Sequence, residues 1–345
     1  MWEEDSVTDD TINAVCIGLD DGYALTKVVL PDGRLVAIAS RARIGGAHVT
    51  GVHGSAPQVR EYETDGTRFA AGDIDGESTQ FDDYPYSGLN RAIVQHALQE
   101  AGLAGRSVHA VSGLPVGSFY QKDGSQRADS VDRKRHSLKQ PVQPIDGRLP
   151  AAIAFHEVIP EALAAWYDHV ITESDGGVRL EPERLGAPVA VVDIGGRTTD
   201  FVVVADEAVQ HRSSGSLRCG ILDVQRHVRD GICQRFNLEE FSERAMGEAM
   251  RTGHVSVFGK SHDVADIVHT ARRHLLERLH AETQRQLGRG AELERVLCVG
   301  GGAVVLADAI RNWFPNLMFA SHPVFANARG MLKYLRYVCD EPARH

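Results

Sequence analysis

Apolar residues recur along this chain with two different periods, and the two alternate. Short apolar runs at residues 14–19, 27–30, 35–39, 108–111, 189–192, 201–204 and 295–299 predict strands bounded by glycine, proline and aspartate. Spacings of three and four predict helices instead. Leu89, Ile93, Ala97 and Leu98 share one helical face, as do Ile221, Val224, Val228 and Ile232, and again Val264, Val268, Ala271, Leu275 and Leu279. Further helices are expected over residues 129–139, 162–166 with Pro160 at their start, 304–313 and 328–337. Strands alternating with helices define an α/β protein.

Residues 44–85 break this rhythm, being rich in glycine, aspartate and serine, with a hairpin expected at Thr64-Asp65-Gly66; Ser174 to Gly177 reads as a turn or linker. After that turn the opening of the chain repeats. A strand ending in Asp20 runs into Asp21-Gly22 and a second strand, and a strand ending in Asp193 runs into Ile194-Gly195-Gly196 and a second strand, about half a chain later. Two related lobes follow from that repeat, each opened by a strand-turn-strand unit.

The length of 345 residues suits two lobes, and 43% hydrophobic with 24% charged residues suits a packed core in each. A net charge of -10 excludes a protein that coats nucleic acid by general electrostatics. The five cysteines form no C-x-x-C pair, which argues against a zinc site and a disulfide framework and for reduced, intracellular thiols. Residues 1–11 are acidic and polar, unlike a secretion signal, and are expected to form a loose extension. No window approaches the roughly 20 apolar residues of a membrane span.

Three glycine turns carry the candidate chemistry. A carboxylate leaving a strand points into the turn, and glycine after it bares backbone N–H groups that phosphate oxygens can approach. Asp20-Asp21-Gly22 has this form, with Lys27 placed to meet phosphate charge; alone it reads more readily as an ordinary turn. Asp193-Ile194-Gly195-Gly196-Arg197-Thr198-Thr199-Asp200 is the stronger unit, with two glycines, two hydroxyls and bracketing carboxylates suited to a metal-phosphate group. Facing aspartates repel phosphate, so Asp20 and Asp193 are expected to order a hydrated Mg²⁺ rather than to act as bases. Gly300-Gly301-Gly302, between a strand and a helix, is open to a nucleotide-binding reading, to a tight connection, and to a dinucleotide turn that too little remaining chain follows. Gly259-Lys260-Ser261 imitates a phosphate-binding P-loop, but five residues separate Gly253 from Gly259 where that motif has four, so this stretch is expected to be a surface loop.

In this order the turns resemble the actin, heat-shock chaperone and sugar kinase superfamily, and specifically the ParM/StbA plasmid-segregation proteins. The resemblance extends through Gly113-Leu114-Pro115, Ile159-Pro160-Glu161-Ala162, Gly220 at its helix start, and Asn327-Ala328-Arg329-Gly330-Met331. It implies an actin-like, ribonuclease H-like fold with a nucleotide cleft between duplicated α/β domains. The first lobe would take residues 1–180 with 323–345, residues 1–12 being an extension, and the second residues 181–322. It implies an ATPase, or one also using GTP, that polymerises with nucleotide bound, depolymerises after hydrolysis and segregates plasmid copies in the cytoplasm. Filament self-association and a small DNA-binding adaptor are the implied partners, with plasmid DNA engaged only through the adaptor and no membrane.

By the same likeness Asp20 and Asp193 order Mg²⁺ through water. Asp21, Gly22, Tyr23, Lys27, Gly195, Gly196, Arg197, Thr198 and Gly220 surround the phosphates of ATP or ADP (GTP or GDP), and Gly300, Gly301 and Gly302 take the adenosine side. Glu161 matches the glutamate that positions the attacking water, a role a carboxylate at a helix start can fill. Tyr23 stands where these families place a small hydroxyl residue, so the contact there is backbone-only or rearranged. Arg197 reads as a phosphate contact or a solvated tip. Arg133-Lys134-Arg135 reads as a solvated helix face, with a subunit or adaptor contact as the alternative. The rivals are a small-molecule kinase of the same fold, a chaperone-like binding module, and a ParM-like nucleotide-binding protein that forms no filament.

Overall fold

The computed structural model describes residues 14–46, 59–174 and 177–339. The expected extension over residues 1–11, and Asp175 and Gly176 of the expected turn, lie outside them.

Two mixed sheets share one plan. In the first, the strand Val15–Asp21 is the pivot. On one side of it Leu25–Val29 pairs antiparallel, with Leu35–Ala39 antiparallel to that strand in turn, and on the other Ser107–Leu114 and then Ala152–Pro160 run parallel. In the second, Val189–Ile194 is the pivot, with Thr199–Ala205 antiparallel on one side and Arg295–Val299 and Leu317–Phe319 parallel on the other. The registers match as well: Asp20 faces Lys27, and Asp193 faces Asp200. Every residue of Val189–Ile194 is buried, as expected of a parallel strand covered on both faces.

Each sheet buries the predicted helical stripes. Ile17, Leu19, Val28 and Val108 pack on Val94 and Leu98 of the helix Gly88–Glu100. Val192, Ile194 and Phe201 pack with Val224, Val228, Val268 and Leu275 of Ile221–Phe236 and Ala265–Leu287. Trp166 and Val170 of the helix Leu163–Val170 bury against Val191, Val202 and Leu297 on the back of the second sheet. The closing helix Ala326–Tyr337 returns to the first lobe. Its approach is close enough that a Cβ on Gly18 would lie 1.8 Å from the Ala328 carbonyl oxygen, and one on Gly330 1.6 Å from that of Ala164.

Several elements differ from the sequence expectations. Ala152–Pro160 is a strand that the sequence hides, because His156, Glu157 and Pro160 interrupt its apolar residues. The expected helix at 304–313 is two short helical pieces, Gly301–Val305 and Ala307–Ile310. The P-loop imitation is a hairpin, His254–Val257 with Lys260–Asp263, turning on Phe258 and Gly259 at positive φ. The hairpin expected at Asp65-Gly66 is present between Val59–Thr64 and Thr67–Gly72.

Candidate functional site

Strand alternation sends Asp20 and Asp21 in opposite directions. Asp20 faces the space between the lobes, where Lys27 Nζ donates to its Oδ2 at 2.7 Å. Burial works against the Lys27 charge, but Asp20 beside it, with Asp193 and Glu161, raises the ammonium above its ordinary range. Asp21 points into the first lobe instead and accepts from Asn90 Nδ2 at 2.9 Å and from Lys134 Nζ. The turn between them is pinned from behind, with Ser40 Oγ donating to the Gly22 carbonyl and Thr79 Oγ1 to that of Tyr23, both at 2.6 Å. The Tyr23 ring lies 5.1 Å from Tyr84 and 5.2 Å from the Arg197 guanidinium, and burial pushes its phenol up.

The second turn closes on itself, Gly195 N donating to the Thr198 carbonyl at 2.9 Å. Its carbonyls are taken by the start of the helix Ile221–Phe236: Ile221 N donates to Gly195 O at 3.1 Å and Leu222 N to Gly196 O at 2.9 Å. A Cβ on Gly220 would lie 2.3 Å from Gly196 O, so Gly220 serves this close approach. Gly196 in turn abuts Ala24, bringing the two glycine turns into contact across the lobes. Asp193, 4% exposed, is pushed up to about 7 by burial and then by Asp200 and Asp20, while Asn327 and Lys27 pull it back. Asp200 is engaged elsewhere: its Oδ1 accepts from Val116 N at 2.7 Å and from Ser216 Oγ, tying the second lobe to the first below the cleft.

Gly300 has φ +88°, and a Cβ there would lie 2.4 Å from Asp193 Oδ1; a Cβ on Gly302 would meet Ile194 at the same distance, whereas one on Gly301 would meet nothing. Glu161 sits in the turn between Ala152–Pro160 and Leu163–Val170, its N–H bonded to Leu114 O at 2.8 Å. Gly113 leaves it room, since a Cβ there would lie 2.7 Å from Glu161 Cγ. Burial, then Asp200, Asp20, Asp193 and Asp21, raises the Glu161 carboxyl well above the usual range. Asn327, at the start of the closing helix, joins these parts. Its Nδ2 donates to Asp193 Oδ2 at 2.7 Å and its Oδ1 accepts from Ala162 N at 3.2 Å.

One cleft of about 500 Å³ is lined by Asp20, Gly22, Tyr23, Lys27, Glu161, Asp193, Gly195, Gly196, Thr198 and all three of Gly300, Gly301 and Gly302. Asp21, Arg197 and Gly220 are not among its lining residues. Asp21 is held by Lys134, and Arg197 pairs with Asp82 at the rim. Asn327 also lines the cleft; the sequence marks it only as part of the Asn327-Ala328-Arg329-Gly330 stretch and gives it no site role. At the far end, Arg226 and Arg229 of the helix Ile221–Phe236 and Glu243 complete the wall. Carboxylates crowd this space beyond what Lys27 neutralises, a donor set that favours a cation. Among the described residues no three His, Cys, Asp or Glu are grouped to hold a metal ion, so a hydrated cation held mainly by a ligand's own oxygens is the kind that fits. No helix among those residues is long and apolar enough to cross a membrane.

Comparison with known proteins agrees with this architecture. Residues 15–171 match the family model of the plasmid segregation protein ParM, N-terminal, and residues 191–312 that of the archaeal actin homologue MreB-like, C-terminal. The fold is similar to that of the archaeal actin homolog Ta0583, with 21% identity over 93% of this chain and 99% of that one at a TM-score of 0.72. A structure of Ta0583 in complex with ADP matches at 20% identity, 93% and 99% coverage and a TM-score of 0.71. A subunit of a 15-stranded ParM filament from Clostridium botulinum matches at 16% identity, over 94% and 99% of the two chains, with a TM-score of 0.70. No curated protein matches the chain by sequence.

Proposed function

Because this chain belongs to the actin-like superfamily, with a ParM/StbA-type N-terminal half, we propose that it is a cytoplasmic ATPase that polymerises with nucleotide bound and segregates plasmid DNA through a small DNA-binding adaptor. One observation carries the reading: Lys27, both glycine turns, the Asp20 and Asp193 carboxylates and Glu161 line a single cleft of about 500 Å³, a size suited to a nucleotide. The ADP in the Ta0583 structure, the filament in the Clostridium botulinum structure, and the AMPPNP in a Bacillus thuringiensis ParM structure (15% identity, 93% and 98% coverage, TM-score 0.62) support it by likeness. The lobes would comprise residues 1–180 with 323–345, and 181–322, which accords with the packing of Ala326–Tyr337 on the first lobe.

In this reading Lys27 keeps two donors for phosphate oxygens after Asp20 takes one. Gly22, Gly195 and Gly196 present backbone without side chains, and Thr198 adds a hydroxyl. Bound Mg²⁺ would neutralise phosphate charge, with Asp20 and Asp193 holding its water shell. Glu161 accepts a hydrogen bond from the attacking water through a carboxylate oxygen and aligns it with the terminal phosphate, a positioning role that asks for an acceptor in the right place rather than for a strong base. Asp21 and Gly220 act behind the site, the first by anchoring the turn and the second by seating a helix under Gly196. Arg197 acts at the rim.

The test is phosphate release and pelleting of the full chain with ATP or GTP and Mg²⁺. Sedimentable polymer that disappears as phosphate accumulates is the expected result. Neither polymer nor phosphate with either nucleotide would overturn the reading. Glu161→Ala should still bind nucleotide and should lengthen polymer lifetime, with phosphate release slowed about 10- to 1,000-fold; turnover equal to the parent would remove Glu161 from the mechanism.

A further inference from the structure

We propose that Asn327 is a positioning residue for hydrolysis, one amide that holds the Asp193 carboxylate and the Glu161 turn in a common geometry. The inference rests on the proposed nucleotide reaction but on a contact that the reaction itself does not require. Asn327 is 5% exposed and lines the cleft at the start of Ala326–Tyr337, a helix packed on the first lobe. Its two ends do different work. The Nδ2 donor reaches across to Asp193 Oδ2 of the second lobe at 2.7 Å, and the Oδ1 acceptor takes the N–H of Ala162 at 3.2 Å. Those two bonds fix the orientation of the amide, because neither an acceptor toward Asp193 nor a donor toward Ala162 would be satisfied.

The Ala162 bond matters because that residue is at φ +62°, a conformation rare for a side chain larger than glycine. Glu161 precedes it directly, so the direction of its carboxylate depends on a backbone kink that Asn327 braces. The helix carrying Asn327 has little freedom of its own. Gly18 lets Ala328 rest on the strand that carries Asp20, and Gly330 lets the next turn rest on the helix that follows Glu161. A shift of Asp193 on ligand binding therefore reaches the Glu161 turn through two hydrogen bonds and a rigidly seated helix. Asn327 touches no reacting atom in this scheme. It acts through Glu161 and Asp193.

Two variants separate the two bonds. Asn327→Ala removes both; Asn327→Asp keeps an acceptor for Ala162 but sets a carboxylate where Asp193 had a donor. In the nucleotide-free full chain, hydrogen exchange at the Ala162 amide should quicken at least about tenfold in Asn327→Ala and stay near the parent in Asn327→Asp, since breaking a hydrogen bond exposes the amide. With ATP and Mg²⁺, both variants should lose about 10- to 100-fold in kcat, the cost of misplacing groups by a fraction of an ångström to an ångström. The KM for ATP, and the Kd for AMPPNP with Mg²⁺, should move less than about threefold. Parental kcat in either variant would overturn the proposal. So would binding and turnover that fall together with the thermal midpoint, which is what a merely structural residue gives. A parent chain that releases no phosphate would instead overturn the proposed function, and unchanged Ala162 exchange in Asn327→Ala would still refute the brace on its own.

Discussion

Lys134 carries a charge that reaches no solvent. The helix Ala128–Lys139 was expected to present Arg133, Lys134 and Arg135 to water, but Lys134 is 0% exposed and donates to Asp21, to the Pro85 carbonyl at 3.0 Å and to Asn90. A run of like charges says nothing about which one the helix turns inward; here the 3.6-residue period aims Lys134 at the sheet with Val131 and Leu138. The same geometry explains Asp21. Adjacent strand residues face opposite ways, so only one of Asp20 and Asp21 can enter the cleft, a distinction the period of two makes legible once the strand is known to extend to residue 21. Beside this pair His156 shares its Nε2 with Ser112 Oγ at 2.8 Å, and burial, followed by the Lys134 charge, pushes its imidazole down to about 3. Its neutral form is the folded form. The stability this confers is present above pH about 6.5, where the unfolded histidine is also neutral, and is lost as pH falls toward 3. Asp193, Glu161 and Asp200 are raised and have the opposite sign, so the comparison must be between variants. His156→Gln should gain on the parent in urea midpoint as pH drops from 7 to 4.5, and a constant difference across that range would show that His156 does not titrate with unfolding.

At the scale of elements, glycines that look alike in sequence do different jobs. Gly300-Gly301-Gly302 reads as one ligand turn and all three line the cleft, yet Gly300 and Gly302 are demanded by Asp193 and Ile194, and only at Gly301 would a Cβ meet no neighbour. In the closing helix, Gly330 is a helix-interior glycine whose missing side chain lets Ala326–Tyr337 sit against Leu163–Val170. Sequence cannot sort these cases, because the neighbour that makes each glycine necessary lies more than a hundred residues away. Gly330→Ala should therefore destabilise the chain by about 1–3 kcal/mol or more in urea unfolding through overpacking, although alanine is the better helix former. Gly301→Ala should leave the unfolding midpoint within about 0.5 kcal/mol of the parent and weaken nucleotide binding instead. Equal midpoints for the two variants would mean that the helix can shift to admit a methyl group. Elsewhere the strands that open the lobes were legible because their apolar runs end in Asp-Gly turns. Ala152–Pro160 was not, since its polar residues face Ser112 and Arg135 inside the fold.

Over the whole molecule, the repeat of strand order and register makes two lobes from one plan, but the ties between them are unequal. Below the cleft, Asp200 is buried and bonded to Val116 N, Ser216 Oγ bonds Gly117 N at 2.7 Å, and Trp166 of the first lobe is buried against the second sheet. At the rim the ties are electrostatic. Asp82 of the first lobe meets Arg197 and, at 3.2 Å, Arg218, and Arg41 approaches Glu243 at 3.8 Å. Asp82 is 62% and Arg218 73% exposed, so water screens the rim, and each such pair contributes at most about 1 kcal/mol. Opening at the rim therefore breaks weaker ties than opening at the base. Arg197 gives the rim its link to the site, because it stands between Gly196 and Thr198 and lies over the Tyr23 ring. Asp82→Ala should accordingly leave thermal stability unchanged while enlarging the nucleotide-free radius of gyration in X-ray scattering. Nucleotide dissociation should speed up by about two- to fivefold, the kinetic equivalent of losing up to about 1 kcal/mol. The effect should fade at 0.5 M salt, where the screening length is only a few ångströms. If the radius stays constant and dissociation is parental at low salt, the lobes are held closed by the buried contacts at the base alone.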